Sequence, residues 1–108
     1  MRHASLRWCV SAFLVAGAAA ASADDPLTII QSERAFHPAE ITINHGQSLS
    51  FSNQDDFIHQ IYVDSPGFNY DSEEQPPGET LSIPFPAPGT FPVRCHIHPK
   101  MLLTVHVK

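Results

Sequence analysis

The chain has 108 residues, of which 43% are hydrophobic and 16% are charged, and its formal net charge is −5. This size and composition are typical of one small globular domain and exclude a long disordered or multidomain protein. Past residue 23 the chain carries four Lys and Arg side chains against eleven Asp and Glu, a net charge of −7. Nucleic acid and anionic membrane surfaces are therefore poor partners for it.

The first 23 residues have the pattern of an export signal. Two arginines form a short basic start, an apolar run covers residues 9–20, and residues 21–23 supply a small-x-small cleavage site. We expect a signal peptide over residues 1–23 and a single mature domain over residues 24–108. The apolar run is shorter than the about 20 residues that a transmembrane helix needs. The sequence therefore predicts a periplasmic protein, or a secreted one where no outer membrane exists, without membrane insertion.

Seven short segments of the mature domain place apolar side chains at every second position, as β-strands do. In chain order they cover residues 27–30, 41–43, 48–51, 61–63, 81–83, 91–93 and 103–107. Tight turns are predicted at 44–47 and 86–89, and a long loop at 64–78 with one helical turn or a short edge strand in it. With no helical period, this pattern predicts an all-β, antiparallel Greek-key sandwich or barrel.

The C-terminal part concentrates residues that bind soft metals. Cys95, two histidines and Met101 share one short loop, and His59 lies upstream. Copper that alternates between Cu(I) and Cu(II) is bound by sulfur and imidazole, and two His, one Cys and a distant Met form the blue-copper set. Zinc is excluded because structural zinc sites use four strong Cys or His ligands. The alternative is a structural cysteine beside surface histidines and a core methionine.

Strand alternation indicates where these side chains point. His59 has the same parity as Ile61 and Val63, and Cys95 alternates with the apolar residues before it, so both are predicted to project from the buried face at strand ends. His96 has the opposite parity and is predicted to be exposed, with a secondary ligand as the alternative. The remaining histidines of the domain are predicted to be solvated: His37 in a loop, His45 in a turn and His106 on an outer strand face.

These motifs together resemble the cupredoxins, closest to the short-loop amicyanin and plastocyanin type. The resemblance rests on Cys-x-x-His-Pro-x-Met from Cys95, on the Asn53-x-Asp55 approach to His59, and on the Pro-Gly-Thr-Phe entry at 88–91. It covers essentially the whole mature domain. Two features depart from the type: Gln60 stands where many relatives have Asn, and His96 follows the cysteine.

The resemblance implies one type 1 copper ion. According to this resemblance, His59 and His98 are the nitrogen ligands, Cys95 is the thiolate and Met101 is the axial sulfur. It also implies a monomer that carries single electrons between redox proteins, such as a cytochrome or a dehydrogenase, outside the cytoplasm. The acidic surface is compatible with steering towards a basic partner, and simple solubility explains it equally well.

Copper trafficking or tolerance is the competing function, because it would use the same ligands. Such proteins more often carry Met-rich or His-rich tracts, whereas Met101 is the only methionine after the leader. An enzyme is not expected, since a Cys95 and His98 nucleophile pair would leave His59 and Met101 unexplained. An apolar patch around His98, formed by Ile97, Pro99 and Phe57, would suit brief docking of an electron-transfer partner.

Overall fold

The computed structural model describes residues 27–108, and the leader predicted for residues 1–23 lies outside them. Nine strands and no helix occur in the described part of the chain. They are β1 (Leu27–Ser32), β2 (Ala35–His37), β3 (Glu40–Ile43), β4 (Ser48–Asn53), β5 (Ile61–Ser65), β6 (Phe68–Asp71), β7 (Thr80–Pro84), β8 (Gly89–Cys95) and β9 (Leu102–Val107).

The strands form two sheets, with the orders β2-β1-β4-β7 and β3-β9-β8-β5-β6. The all-β prediction is confirmed. Strands β1 and β4 pair in parallel, as do β3 and β9, while the other pairs are antiparallel. The sheets are therefore mixed. Alternation of side chains shows which face of a strand is buried but not the direction of its neighbour, so the parallel pairs could not be predicted from it.

The core is built from the alternating apolar side chains of both sheets. Phe51, Leu49 and Ile29 from the first sheet are fully buried, as are Val93, Leu103 and Val105 from the second. The β3–β4 connection is the predicted tight turn: Gly46 has φ of 85°, and the Gln47 amide donates to the Asn44 carbonyl at 3.1 Å. This turn carries the chain from one sheet to the other, as does the 85–88 segment between β7 and β8.

Two strands differ from the sequence prediction. The short strand β2 was not predicted, so the placement of His37 in a loop is wrong, because it is the last residue of β2. The 64–78 segment contains the edge strand β6 and no helical turn. Phe68 of β6 packs its ring 5.1 Å from that of Phe85. This aromatic contact anchors the edge strand on the core, which the loop-like composition around it conceals.

Strand register brings the candidate ligands to one end of the sandwich. Cys95, the last residue of β8, pairs with Ile61, the first residue of β5, so His59 lies two residues before the same point. Met101 immediately precedes β9, which pairs with β8. Among residues 27–108, we find no helix with the length and apolar character that crossing a membrane requires.

Candidate metal centre

Cys95 lies at the end of β8 with its side chain buried; 1% of the residue is exposed. The Gln60 amide donates to its Sγ at 3.4 Å, and the His96 amide donates to the Gln60 carbonyl at 2.9 Å. Backbone groups therefore join the Cys95 strand end to the His59 segment. A thiolate that accepts an N–H hydrogen bond is held in position and its charge is partly stabilised.

His59 is fully buried beside this cysteine, with its Nδ1 at 3.6 Å from Cys95 Sγ. Strand β5 begins at Ile61, so His59 lies just before it rather than within it. His59 instead forms an isolated bridge with Gln75, whose amide donates to the His59 carbonyl at 2.7 Å. Its buried orientation is set by this bridge, so parity gave the correct face although the strand does not extend that far.

Asp55 fixes the ring of His59 from the other side. Its Oδ2 lies 2.7 Å from His59 Nε2, and its carboxylate also accepts the backbone amides of Glu33 at 2.6 Å and Arg34 at 3.2 Å. Burial acts to raise the pKa of Asp55, but these hydrogen bonds outweigh it and hold the pKa below its ordinary value. An ionised carboxylate requires a donor at Nε2, which leaves Nδ1 of a neutral ring unprotonated and directed at Cys95.

The turn between β1 and β2 supplies the two amides that bind Asp55. Glu33 and Arg34 both have positive φ, at 54° and 55°, as in the two-residue hairpin turn that matches strand twist. This backbone conformation is uncommon for residues other than Gly, Asn and Asp. Its two N–H groups converge on the Asp55 carboxylate, so a hairpin remote in sequence orients His59.

A buried amide network supports the same segment. Asn53 Nδ2 donates to the carbonyls of Phe57 and Gln75, both at 2.9 Å. Gln75 is fully buried and its Nε2 donates to the carbonyls of Phe51 at 2.9 Å and Glu79 at 2.8 Å. The sequence alone did not predict this role for Gln75. A glutamine in a proline-rich polar stretch carries no periodic signal, and only the fold shows its burial.

His98 and Met101, the other two predicted ligands, lie in the loop after β8. The Met101 amide donates to the His98 carbonyl at 3.0 Å, and Met101 is 1% exposed. The His98 ring centroid lies 5.2 Å from that of His59, and its Nε2 is buried without a hydrogen-bond partner. Burial lowers the pKa of His98, nearby His59 and Arg34 lower it further, and Asp55 partly opposes them. The neutral imidazole, the form that binds metals, is therefore favoured.

The donor types fit copper better than a cage of hard ligands. Within residues 27–108, no group of three or more His, Cys, Asp or Glu side chains is arranged to hold a metal ion. The arrangement depends instead on the Met101 thioether beside the close His59 and Cys95 pair. A buried imidazole nitrogen of His98 without a partner is costly unless something binds it. Soft sulfur with imidazole is the copper donor set, and a bound metal ion would give the His98 ring the partner that it lacks.

The two residues that depart from the predicted type lie outside the donor set. His96 is exposed, as predicted, and its ring stacks on Tyr62 at 3.8 Å while Nε2 lies 3.1 Å from Asp71 Oδ2. The side chain of Gln60 donates to Asp71 at 3.3 Å and to the Ser72 carbonyl at 3.1 Å. The Gln60 side chain reaches the 95–101 loop only through Asp71, which His96 also contacts, whereas the Gln60 backbone amide contacts Cys95 directly.

Comparison with known proteins assigns the family. The model of the cupredoxin-like domain matches residues 5–105. The chain belongs to the cupredoxin-like family. The fold agrees with this assignment, since the chain matches the Cu(I) form of a mutant of amicyanin with a TM-score of 0.72. That match has 17% identity and covers 79% of this chain and 84% of the other, so it shows the shared fold.

Two curated relatives carry the sequence comparison. The chain is 33% identical over 84 residues to the methylamine utilization protein MauL of Methylophilus methylotrophus, covering 72% of this chain and 48% of that protein. It is 29% identical over 72 residues to the chloroplastic plastocyanin of Physcomitrium patens, covering 58% and 43%. The chain thus spans about half the length of the curated relatives it matches. The predicted resemblance to cupredoxins is confirmed.

Proposed function

We propose that this cupredoxin-like domain binds one copper ion through His59, Cys95, His98 and Met101 and carries single electrons between redox proteins. The observation that supports this most strongly is the buried pairing of His59 Nδ1 with Cys95 Sγ at 3.6 Å. Bound copper would supply the one-electron redox chemistry. The amicyanin to which the fold is similar is described in a Cu(I) form, which agrees with this choice of metal.

Each residue around the ligands has a definite task. Asp55 accepts the Nε2–H of His59 and so selects the neutral tautomer whose Nδ1 is free to bind a metal, and the Gln60 amide stabilises the Cys95 thiolate. The Met101 amide ties the end of the loop to the His98 carbonyl. These bonds fix the donors before a metal arrives. A preformed site changes little between two oxidation states, which is what a carrier needs for fast exchange.

The route for electrons leads through His98. Cys95, His59 and Met101 are buried, whereas His98 is half-buried and lies next to Ile97, which is 44% exposed. Pro99 is exposed on its other side. An apolar surface around the accessible ligand suits the small, short-lived interfaces of electron-transfer complexes. The partner would be a cytochrome or a dehydrogenase, and the domain would act as a carrier rather than as an enzyme.

We further propose that the domain works outside the cytoplasm as a monomer, after removal of residues 1–23. Cys95 would then be the only cysteine of the mature protein, since Cys9 lies in the leader. A buried thiol that binds copper is protected from the oxidation that threatens an exposed one. Mass spectrometry of the protein exported by its host tests this, with a mature chain beginning at Asp24 as the expected result.

A paired kinetic experiment separates electron carriage from copper trafficking. The copper-loaded protein is mixed in one arm with a soluble c-type cytochrome and in the other with a metal-free copper-binding protein. We expect rapid electron exchange and slow copper loss, because three of the four donors are buried and preoriented. Ready copper transfer together with slow exchange with every cytochrome tested would reject the carrier and favour trafficking.

A further inference from the structure

The accessible edge of the proposed copper site opens into a cavity of about 320 Å³. Its lining residues are Arg34, Ile97, His98, Pro99 and Lys100. The centre of this surface is apolar, while both of its charged residues are cations. No Asp or Glu side chain belongs to the lining. This composition contrasts with the acidic character of the rest of the domain.

Positive charge is over-represented at this cavity relative to the rest of the domain. Only four Lys and Arg residues occur beyond residue 23, and two of them line this one cavity. The other two are Arg94, an exposed residue of β8, and Lys108, at the far end of β9. Lys108 lies seven residues beyond Met101 along an extended strand, which is roughly 23 Å at 3.3 Å per residue.

Arg34 is held in this position by its surroundings. Its backbone amide donates to Asp55, and its guanidinium carbon lies 4.8 Å from the centroid of the Phe57 ring. That ring in turn lies 4.9 Å from the His98 ring. A guanidinium over an aromatic face is partly desolvated and keeps its position better than a free surface side chain. The Phe57 contact therefore favours a position of the Arg34 guanidinium next to the His98 edge.

Two acidic residues line a different cavity. The stacked pair of Tyr62 and His96 lies in a second cavity that is also lined by Asp64 and Asp71. Glu33 and Asp56, the sequence neighbours of Arg34 and Phe57, do not line the His98 cavity. The domain as a whole is acidic, whereas both charged side chains that line the His98 cavity are cations.

We propose that Arg34 and Lys100 form a cationic rim around the apolar opening at His98, and that this rim selects a redox partner whose docking face carries carboxylates around an apolar centre. The inference rests on the proposed copper function. At contact distance, charges within the Debye length of about 8–10 Å dominate over the net charge of the domain. An acidic docking face would pair with both cations while its apolar centre covers Ile97 and Pro99.

The rim favours a different partner from the basic one that the net charge alone suggests. Long-range attraction follows the net charge, but like-charge contacts at an interface are penalised and unlike charges fix the orientation. A basic docking face placed over His98 would bring its cations against Arg34 and Lys100. The rim would therefore disfavour that orientation, whatever the attraction at longer distance.

Charge-reversal and charge-neutralisation variants, each with a matched control, test the rim. Lys100→Glu and Lys108→Glu change the net charge by the same amount, one at the His98 cavity and one at the far end of β9. Arg34→Gln and Arg94→Gln form a second pair. The copper-loaded, reduced proteins are mixed in a stopped-flow instrument with an acidic and with a basic c-type cytochrome, and second-order rate constants are measured against ionic strength.

We expect Lys100→Glu to slow exchange with the acidic cytochrome about tenfold and Lys108→Glu to slow it less than about twofold. Arg34→Gln should slow it more than Arg94→Gln does. Equal effects within each pair would overturn the rim, because net charge alone would then set the rates. A second result would also reject the rim. In it, the wild-type protein reacts faster with the basic cytochrome than with the acidic one, and Lys100→Glu does not raise the rate with the basic cytochrome further.

The optical spectrum of each variant distinguishes failure of the rim from failure of the copper site. If the wild-type protein binds no copper with thiolate absorption, the proposed function itself fails. If that absorption persists in all four variants while the matched pairs behave alike, only the rim is rejected. Oxidation by small inorganic complexes provides a further check. Lys100→Glu should slow oxidation by the hexacyanoferrate(III) anion and accelerate oxidation by the tris(phenanthroline)cobalt(III) cation.

Discussion

The two segments that hold the candidate ligands are stabilised in different ways. His59 is fixed by groups from distant parts of the chain: the Asp55 carboxylate, the β1–β2 turn that binds it, and the bridge to Gln75. The 95–101 loop is short and is tied by local bonds, such as that from the Met101 amide to the His98 carbonyl. His59 therefore depends on tertiary contacts, whereas the candidate ligands His98 and Met101 are joined within a short stretch of sequence.

This difference has a functional consequence. The His59 side of the site is buried and crossed by hydrogen bonds, so it should resist both solvent and movement. The His98 side opens to a cavity and carries the cationic rim. The site therefore combines a rigid inner wall with an accessible edge. Each variant below perturbs one of the two segments or the contact between them.

The largest contrast is expected between the two histidines. His59→Gly and His98→Gly should both lose the type 1 spectrum. Added imidazole at millimolar concentration should restore it only in His98→Gly, because that cavity is open whereas His59 is fully buried. Optical titration of both copper-loaded variants measures this. Rescue of both to the same extent would show that the buried and open sides do not differ.

Removal of the carboxylate that orients His59 should have the next largest effect. Asp55→Asn presents an amide where His59 Nε2–H and two backbone amides need an acceptor. Copper affinity should fall about 10-fold to 100-fold, and the copper-free protein should lose about 1–3 kcal/mol of unfolding free energy. The control is Asp56→Asn at the neighbouring position. Competition with a chelator measures the copper affinity, and urea unfolding measures the free energy of unfolding. Equal values for both variants would contradict the role of Asp55.

Met101→Gln tests the axial position within the loop. An amide oxygen is harder than a thioether and favours Cu(II), so the reduction potential should fall while copper stays bound. A tenfold change in oxidation-state preference corresponds to about 59 mV for one electron, and we expect a decrease of at least that order. Protein-film voltammetry measures it. An unchanged potential would place Met101 in the core without a ligand role.

The smallest effect is expected at Gln60. Its side chain bonds to Asp71 and Ser72, while its backbone amide makes the contact with Cys95. Gln60→Ala should therefore leave the copper spectrum intact and cost only about 0.5–1.5 kcal/mol of unfolding free energy. Gln60→Pro, which removes the backbone donor, should disturb the spectrum. If the alanine variant disturbed it equally, the side chain rather than the backbone would join the two segments.

Much of the fold could be predicted because apolar alternation directly records burial. The buried positions of β4, β8 and β9 follow from that pattern. The pattern does not record strand direction, so the parallel pairing of β1 with β4 was missed. Strand β2 is three residues long and too short to show a period. Its existence depends on the Glu33 and Arg34 turn that precedes it.

The candidate site divides in the same way. Cys95, His98 and Met101 form a motif that is visible in seven consecutive residues, and each donor is recognisable by its chemistry. The partners of His59 are not recognisable in this manner. The Asn53-x-Asp55 approach is a visible pattern but does not show that the Asp55 carboxylate contacts His59, and Gln75 lies in a stretch with no apolar period. Their roles depend on long-range contacts, which a single sequence does not encode in any local pattern.

X-ray absorption at the copper edge of the loaded protein probes the proposed ligand set without an intermediate assumption. We expect two nitrogen neighbours at about 2.0 Å and one sulfur somewhat above 2 Å, with a longer second sulfur contact. The same measurement on Cys95→Ser should lose the short sulfur shell, and its intense visible absorption should disappear. A spectrum of wild type with only nitrogen and oxygen neighbours, or a sulfur shell that survives in Cys95→Ser, would contradict the proposed copper site.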